Sequence, residues 1–122
     1  MYNSGADMQR NMDLIRLVVL NAECGQPYPE IIGFTPEAVK YHQMLAIKAG
    51  LLTGTHDKYN ENATEIPSYV FIEDVTWDGH NFIEAIREDN NWSKIKNYLI
   101  QEGKQLTIET IKAAAKILLG FS

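Results

Sequence analysis

The sequence predicts an α+β fold, ordered as helix, short apolar element, helix, two-stranded hairpin and three further helices. Three observations carry that order. Residues 36–49 repeat apolar side chains at helical spacing between a Thr-Pro start and a Gly stop. Two extended apolar runs flank a polar loop between residues 51 and 75, and helical periodicity then returns three times up to residue 119. At 122 residues the length predicts one domain with a core of its own. Within it we expect a flexible leader over 1–9, a core over 10–90 and a helical extension over 91–122.

The first helix is expected to start at Asn11 as cap and to run through MDLIRLVVLNAE to about Glu23. Met12, Ile15, Val19 and Ala22 form its apolar stripe, widened by Leu14 and Val18. Gly25, Pro27 and Pro29 then end it. Glu30 to Phe34 is short and apolar, and five residues cannot separate a strand from a cramped second helix by periodicity.

The central stretch, TPEAVKYHQMLAIKAGLL over 35–52, is the best specified. Thr35 suits the N-cap and Pro36 the first helical position, where its missing N–H costs nothing. The proline also pushes Thr35 out of helical geometry, as a cap requires. Ala38, Val39, His42, Leu45, Ala46 and Ala49 recur at i, i+3, i+4 and predict the core-facing stripe. Gly50 sits where the chain needs a positive φ to stop a helix, letting Leu51 fold back on the last turn. The outer face then carries Lys40, Tyr41, Gln43, Met44, Ile47 and Lys48.

Leu51–Thr55 reads as a strand, His56–Glu65 as a polar loop, and Ile66–Val75 as a returning strand. In that strand Tyr69, Phe71 and Val75 alternate against Val70 and Ile72. Thr76 caps a helix over about 77–88, whose stripe is Gly79, Phe82, Ile83 and Ile86. A glycine costs about 1 kcal/mol in a helix, so its place on the apolar stripe predicts close backbone packing. Asp89-Asn90-Asn91 is expected to interrupt. Trp92–Glu102 follows as a helix burying Trp92, Ile95 and Leu99 and stopped by Gly103. Thr107 caps the last, Ile108–Leu119, with Ile108, Ile111, Ala115 and Leu118 inward and Lys112 and Lys116 outward. Trp77 and Trp92 are both expected in the core.

Composition narrows the function classes. Cys24 is the one cysteine, which excludes an internal disulfide and a cysteine-based zinc site and suits a reducing compartment. No apolar run approaches membrane-spanning length, and MYNSGADMQR lacks the apolar stretch of a signal peptide. A cytoplasmic protein without membrane contact is expected. Residues 1–90 hold 6 Lys and Arg against 14 Asp and Glu, a balance of −8. Residues 91–122 hold 5 Lys against 2 Glu, a balance of +3 that restores the total of −5. Duplex DNA binding draws on a basic footprint, so an acidic first part counts against a strong, simple reader of DNA.

Two phrases carry a resemblance. YHQMLAIKAGLL resembles the recognition-helix phrase of winged helix-turn-helix regulators, and VTWDGHNF resembles the Leu-Thr-x-x-Gly-x-x-Phe/Leu phrase that opens the helix after a wing. With RNMDLIR, TWDGHNFIEAIREDNNWSKIK and the last helix, about residues 8–119 resemble an uncharacterised bacterial and prophage-associated family, domain of unknown function 2513. The chain departs from it at Gln43 and Ala46, where apolar residues are usual, and at Met44, where a polar one is. The resemblance implies a winged helix with a C-terminal helical extension, Met8 as the natural start, and no established activity.

On that fold the expected function is a DNA-binding, prophage-type transcriptional regulator, with a homodimer through its C-terminal helices as the expected pairing. The expected contact residues are Thr35, Lys40, Tyr41, Gln43, Met44, Ile47 and Lys48, with Lys58 and Tyr59 on the wing. The alternative is a winged-helix protein-interaction module without DNA binding. It rests on the acidic balance, a loop with Lys58 against Asp57, Glu61 and Glu65, and an outer face bearing Met44 and Ile47. Enzyme chemistry is not expected, nor are a cofactor or a metal. His42 lies on the core stripe, His80 has no convergent ligands beside it, Cys24 lacks an adjacent base, and GLLTG reads as a helix stop followed by a strand.

Overall fold

The computed structural model describes residues 9–57 and 66–120. In chain order these form α1 (Met12–Glu23), α2 (Pro36–Lys48), β1 (Leu52–His56), β2 (Val70–Val75), α3 (Trp77–Ile86), α4 (Asp89–Gln101) and α5 (Ile108–Leu119). The architecture is therefore α+β, with five helices and one antiparallel two-stranded sheet among the described residues. It divides into two compact units, Met1–His80 and Asn81–Ser122, with the division inside α3.

In the first unit, the Asn11 side chain accepts from the N–H groups of Asp13 and Leu14 and so caps α1. Met12, Leu14, Ile15, Val18 and Val19 of the predicted stripe are buried, and Ala22, at its end, is half-buried. Residues 25–34 form neither a helix nor a strand, so the open choice between them resolves to turn and coil. This segment is fastened at two points. The Asn21 amide donates to the Pro29 carbonyl at 2.6 Å, and the Tyr28 hydroxyl to the Ile72 carbonyl of β2 at 3.1 Å.

Helix α2 begins as predicted, with the Thr35 hydroxyl accepting from Ala38 N–H at 3.1 Å. It ends in a full Schellman pair, Gly50 N–H to Ile47 O and Leu51 N–H to Ala46 O, with Gly50 at φ +82°. That turn delivers Leu51 and Leu52, both buried, into the hairpin. β1 pairs antiparallel with β2, and the register slips between Thr53 and Gly54. Gly54 occupies the slip because a Cβ there would meet the Phe71 carbonyl at 2.2 Å and the Ile47 side chain at 3.1 Å. The slip also corrects the expected alternation. One extra residue on β2 lets Ile72 and Val75 share the buried side, while Phe71 and Tyr69 face outward.

In the second unit, Phe82, Ile83 and Ile86 of α3 and Trp92, Ile95 and Leu99 of α4 are buried, as their spacing predicts. Asp89, Asn90 and Asn91 do not interrupt; they form the first turn of α4 behind Glu88. Thr107 and Thr110 cap α5 reciprocally, and Ile111, Ala114 and Ala115 form its buried face. Leu118, expected inward, is exposed.

Candidate functional site

The predicted contact residues fall on α2, and the structure places them unequally. Thr35 is occupied in capping the helix. The Lys40 ammonium donates to the Ser68 carbonyl at 3.2 Å, and Lys40 and Gln43 both line a cleft against residues 28–34. Ile47 is half-buried beside Gly54. Lys48 is exposed. Lys58 and Tyr59 lie outside the described residues.

Two members of the set require correction. Tyr41 and Met44, expected on the outer face, are only 7% and 6% exposed. The physical reason is the position of α2 within its unit: α1 packs on it, and so do both strands of the hairpin. A helix flanked in this way keeps its fully exposed positions at its ends, Pro36, Glu37 and Lys48, while Val39, Lys40, Gln43 and Ile47 stay half-buried along its middle. The expected apolar contact patch of Met44 with Ile47 is therefore absent.

His42 is where the sequence places it, on the buried side. Its Nδ1–H donates to the Ala38 carbonyl at 2.7 Å, which leaves Nε2 to accept from Asn11 N–H at 2.9 Å. The ring so joins α2 to the cap of α1, and Tyr41 stacks edge-on against it at 5.2 Å. Burial pushes its pKa below the usual histidine value, partly offset by the bond to Ala38.

At the hairpin's base, the Asp57 carboxylate accepts from Ser68 N–H at 2.8 Å and Tyr69 N–H at 3.2 Å. Desolvation acts to raise its pKa, but these bonds outweigh it and hold the carboxyl below its ordinary value. One of the loop's acids is thus engaged in structure.

Sequence reasoning missed the aromatic surface. Tyr69 and Phe71 are 53% and 51% exposed, and their two-residue spacing turns them to one side of the extended chain. Phe71 borders a cleft of about 360 Å³ whose wall also includes Tyr28, Glu23, Glu73, Asp74 and His80. The readable signal was Gly54, because a strand glycine marks the bulge that decides which residues of β2 face out. Trp77, expected in the core, is 82% exposed. It sits about 180° around α3 from the centre of the Gly79, Phe82, Ile83 and Ile86 stripe.

The other chemistry is sparse. Cys24 is exposed and its thiol donates weakly to the Leu20 carbonyl at 3.7 Å. Among the described residues, no group of three or more His, Cys, Asp and Glu could hold a metal ion, and no helix is long and apolar enough to cross a membrane.

No solved structure matches the chain. A relative from Haemophilus influenzae (strain ATCC 51907 / DSM 11121 / KW20 / Rd), described as an uncharacterized protein, is 30% identical over 119 residues, covering 92% of this chain and 96% of its own. The model of the family described as "Hypothetical protein (DUF2513)" matches residues 9–105, ending before α5. The chain belongs to that family.

Proposed function

We propose that the described residues of the first unit form a winged-helix type of module that acts by binding a protein, with the outer side of the hairpin as its wing and contact surface. The order helix, helix, hairpin supports the fold type. One observation carries the function: the hairpin presents Tyr69 and Phe71 to solvent, while α2 hides Tyr41 and Met44, two of the side chains it would need to offer a DNA groove. Exposed aromatics of this kind are the anchors that protein interfaces use. The carboxylates of Glu73 and Asp74 in the cleft beside Phe71 give the expected partner its chemistry, an apolar contact flanked by Lys or Arg.

A second reading has its own support. Lys48, Lys94, Lys104, Lys112 and Lys116 are all exposed, and residues 91–122 are net positive. Such a set suits phosphates, as in a prophage-type transcriptional regulator on duplex DNA. Ile100 of α4 and Ile117 of α5, both exposed, could then pair two copies through the C-terminal helices.

Fluorescence anisotropy of a mixed duplex with the full chain, from 50 to 200 mM salt, separates the two. Phosphate contacts require affinity that falls steeply with salt. The protein-binding reading expects no such binding. It expects also that Phe71→Glu abolishes a complex recovered with the wild type while leaving the thermal midpoint unchanged. Salt-sensitive DNA binding that Lys48→Glu removes would overturn it.

A further inference from the structure

We propose that the partner of the hairpin's outer side is a second copy of this chain, which seats the exposed face of its α5 on Tyr69 and Phe71. This rests on the protein-binding reading above and names the partner of that same surface.

Tyr69 and Phe71 are each about half exposed, and Glu73 and Asp74 next along the chain are exposed as well. Neither strand of the hairpin carries Lys or Arg. The sequence that joins the strands over 58–65 holds Lys58 against Glu61 and Glu65, so it adds no net positive charge. A surface of this chemistry is matched by an apolar side chain with a cation at its flank.

Helix α5 carries that complement. Ala113 and Ile117 stand four residues apart and so share one helix face; both are exposed, Ile117 at 66%. Lys112 and Lys116, also exposed, form the adjoining stripe at the same spacing. Glu109, the one acid of the helix, lies in its first turn, seven residues before Lys116. Apolar and cationic groups therefore stand side by side on α5, as aromatic and anionic groups do on the hairpin, and the opposite signs select this pairing. Pairing α5 with α5 would instead set four lysines against two glutamates, counting both copies. The lengths agree, at about 18 Å for the twelve residues of α5 and about 20 Å for the six of β2. A contact of hairpin on helix is heterologous, so each copy offers two different surfaces, one to give and one to receive.

Sedimentation velocity of the full chain tests the pairing. The wild type should self-associate as its concentration rises, and raising salt from about 50 to 500 mM should weaken that association about tenfold. Phe71→Glu and Ile117→Glu should each be monomeric with an unchanged thermal midpoint. Mixing the two should restore a one-to-one complex, because one variant keeps an intact α5 and the other an intact hairpin. Tyr69→Glu and Lys116→Glu take their places if either variant does not fold. A wild type that stays monomeric, or variants that fail to complement each other, would overturn the second-copy assignment. So would loss of association in Ile117→Glu alone, the outcome that pairing of α5 with α5 requires. The reading beneath it fails separately: salt-sensitive DNA binding removed by Lys48→Glu overturns protein binding itself, whereas a monomeric chain that keeps a Phe71-dependent complex with another protein overturns only the second copy.

Discussion

Replacing Gly79 by alanine sets helix propensity against packing. Propensity alone favours the change, because alanine is better than glycine in a helix by about 1 kcal/mol. Packing opposes it. A Cβ at Gly79 would lie 2.1 Å from the Leu51 carbonyl oxygen and 2.7 Å from Val75 Cγ1. Ordinary carbon contacts begin near ~3.5 Å, so the backbone must part by about 1 Å or more. That oxygen also accepts from Thr76 N–H at 3.0 Å, and the Thr76 hydroxyl both caps Gly79 at 2.9 Å and donates to Gly50 O at 2.6 Å. Separation therefore strains one junction in which the end of α2, the start of β1 and the start of α3 meet. Overpacking costs about 1–3 kcal/mol and each weakened hydrogen bond about 1 kcal/mol. Less the propensity gain, the net loss is about 2–3 kcal/mol. For a chain of this length that lowers the thermal midpoint by about 10 °C. Thermal unfolding followed by circular dichroism reads this directly, with Asn81→Ala at an exposed position of the same helix as the control, expected near neutral. A Gly79→Ala protein as stable as the control would refute the close approach.

Two further outcomes are expected. The folded pKa of His42 is lowered, so as pH falls below about 6.5 the unfolded chain takes up a proton before the folded one does. Stability contributed by the neutral ring is complete above that pH and declines toward the lower folded pKa. Denaturant titrations between pH 7 and 5.5 should show the decline in the wild type and not in His42→Gln; equal slopes would refute it. The two tryptophans should also respond oppositely to a soluble quencher. Trp77→Phe, which keeps Trp92 at 4% exposed, should resist iodide, and Trp92→Phe, which keeps Trp77, should be quenched strongly; equal quenching in both variants would refute the assignment.

What the sequence discloses depends on how local the physics is. Asn11, Thr35, Thr76 and Thr107 each place a helix start, because a cap is satisfied within three residues of itself. The same locality makes the α1 stripe, the α4 stripe and the Gly50 stop readable. Locality fails at β2, where the bulge opposite Gly54 is decided by the partner strand and by Ile47 of α2, and where one displaced residue exchanges the inward and outward faces. It fails again between residues 25 and 34. No periodicity exists there, and two side chains, Asn21 and Tyr28, decide the path through carbonyls at Pro29 and Ile72.

The candidate site is legible to the same degree, and α2 shows why. A helical wheel records which side chains share a face; it does not record how many faces are covered. The stripe of α2 is narrow on the wheel, so Tyr41 and Met44 read as outward, toward a groove or a partner. In the fold α1 lies on one flank of the helix and the hairpin on another, and Lys40 is drawn to the Ser68 carbonyl. Enclosure of that kind converts the residues of a reading helix into the centre of a unit. It moves the exposed aromatic chemistry one element along the chain, to Tyr69 and Phe71 of the hairpin. It also explains the departure at Met44 from the polar residue usual there: a flexible apolar side chain fills an irregular gap in a covered position, whereas a polar one would need a hydrogen-bond partner there.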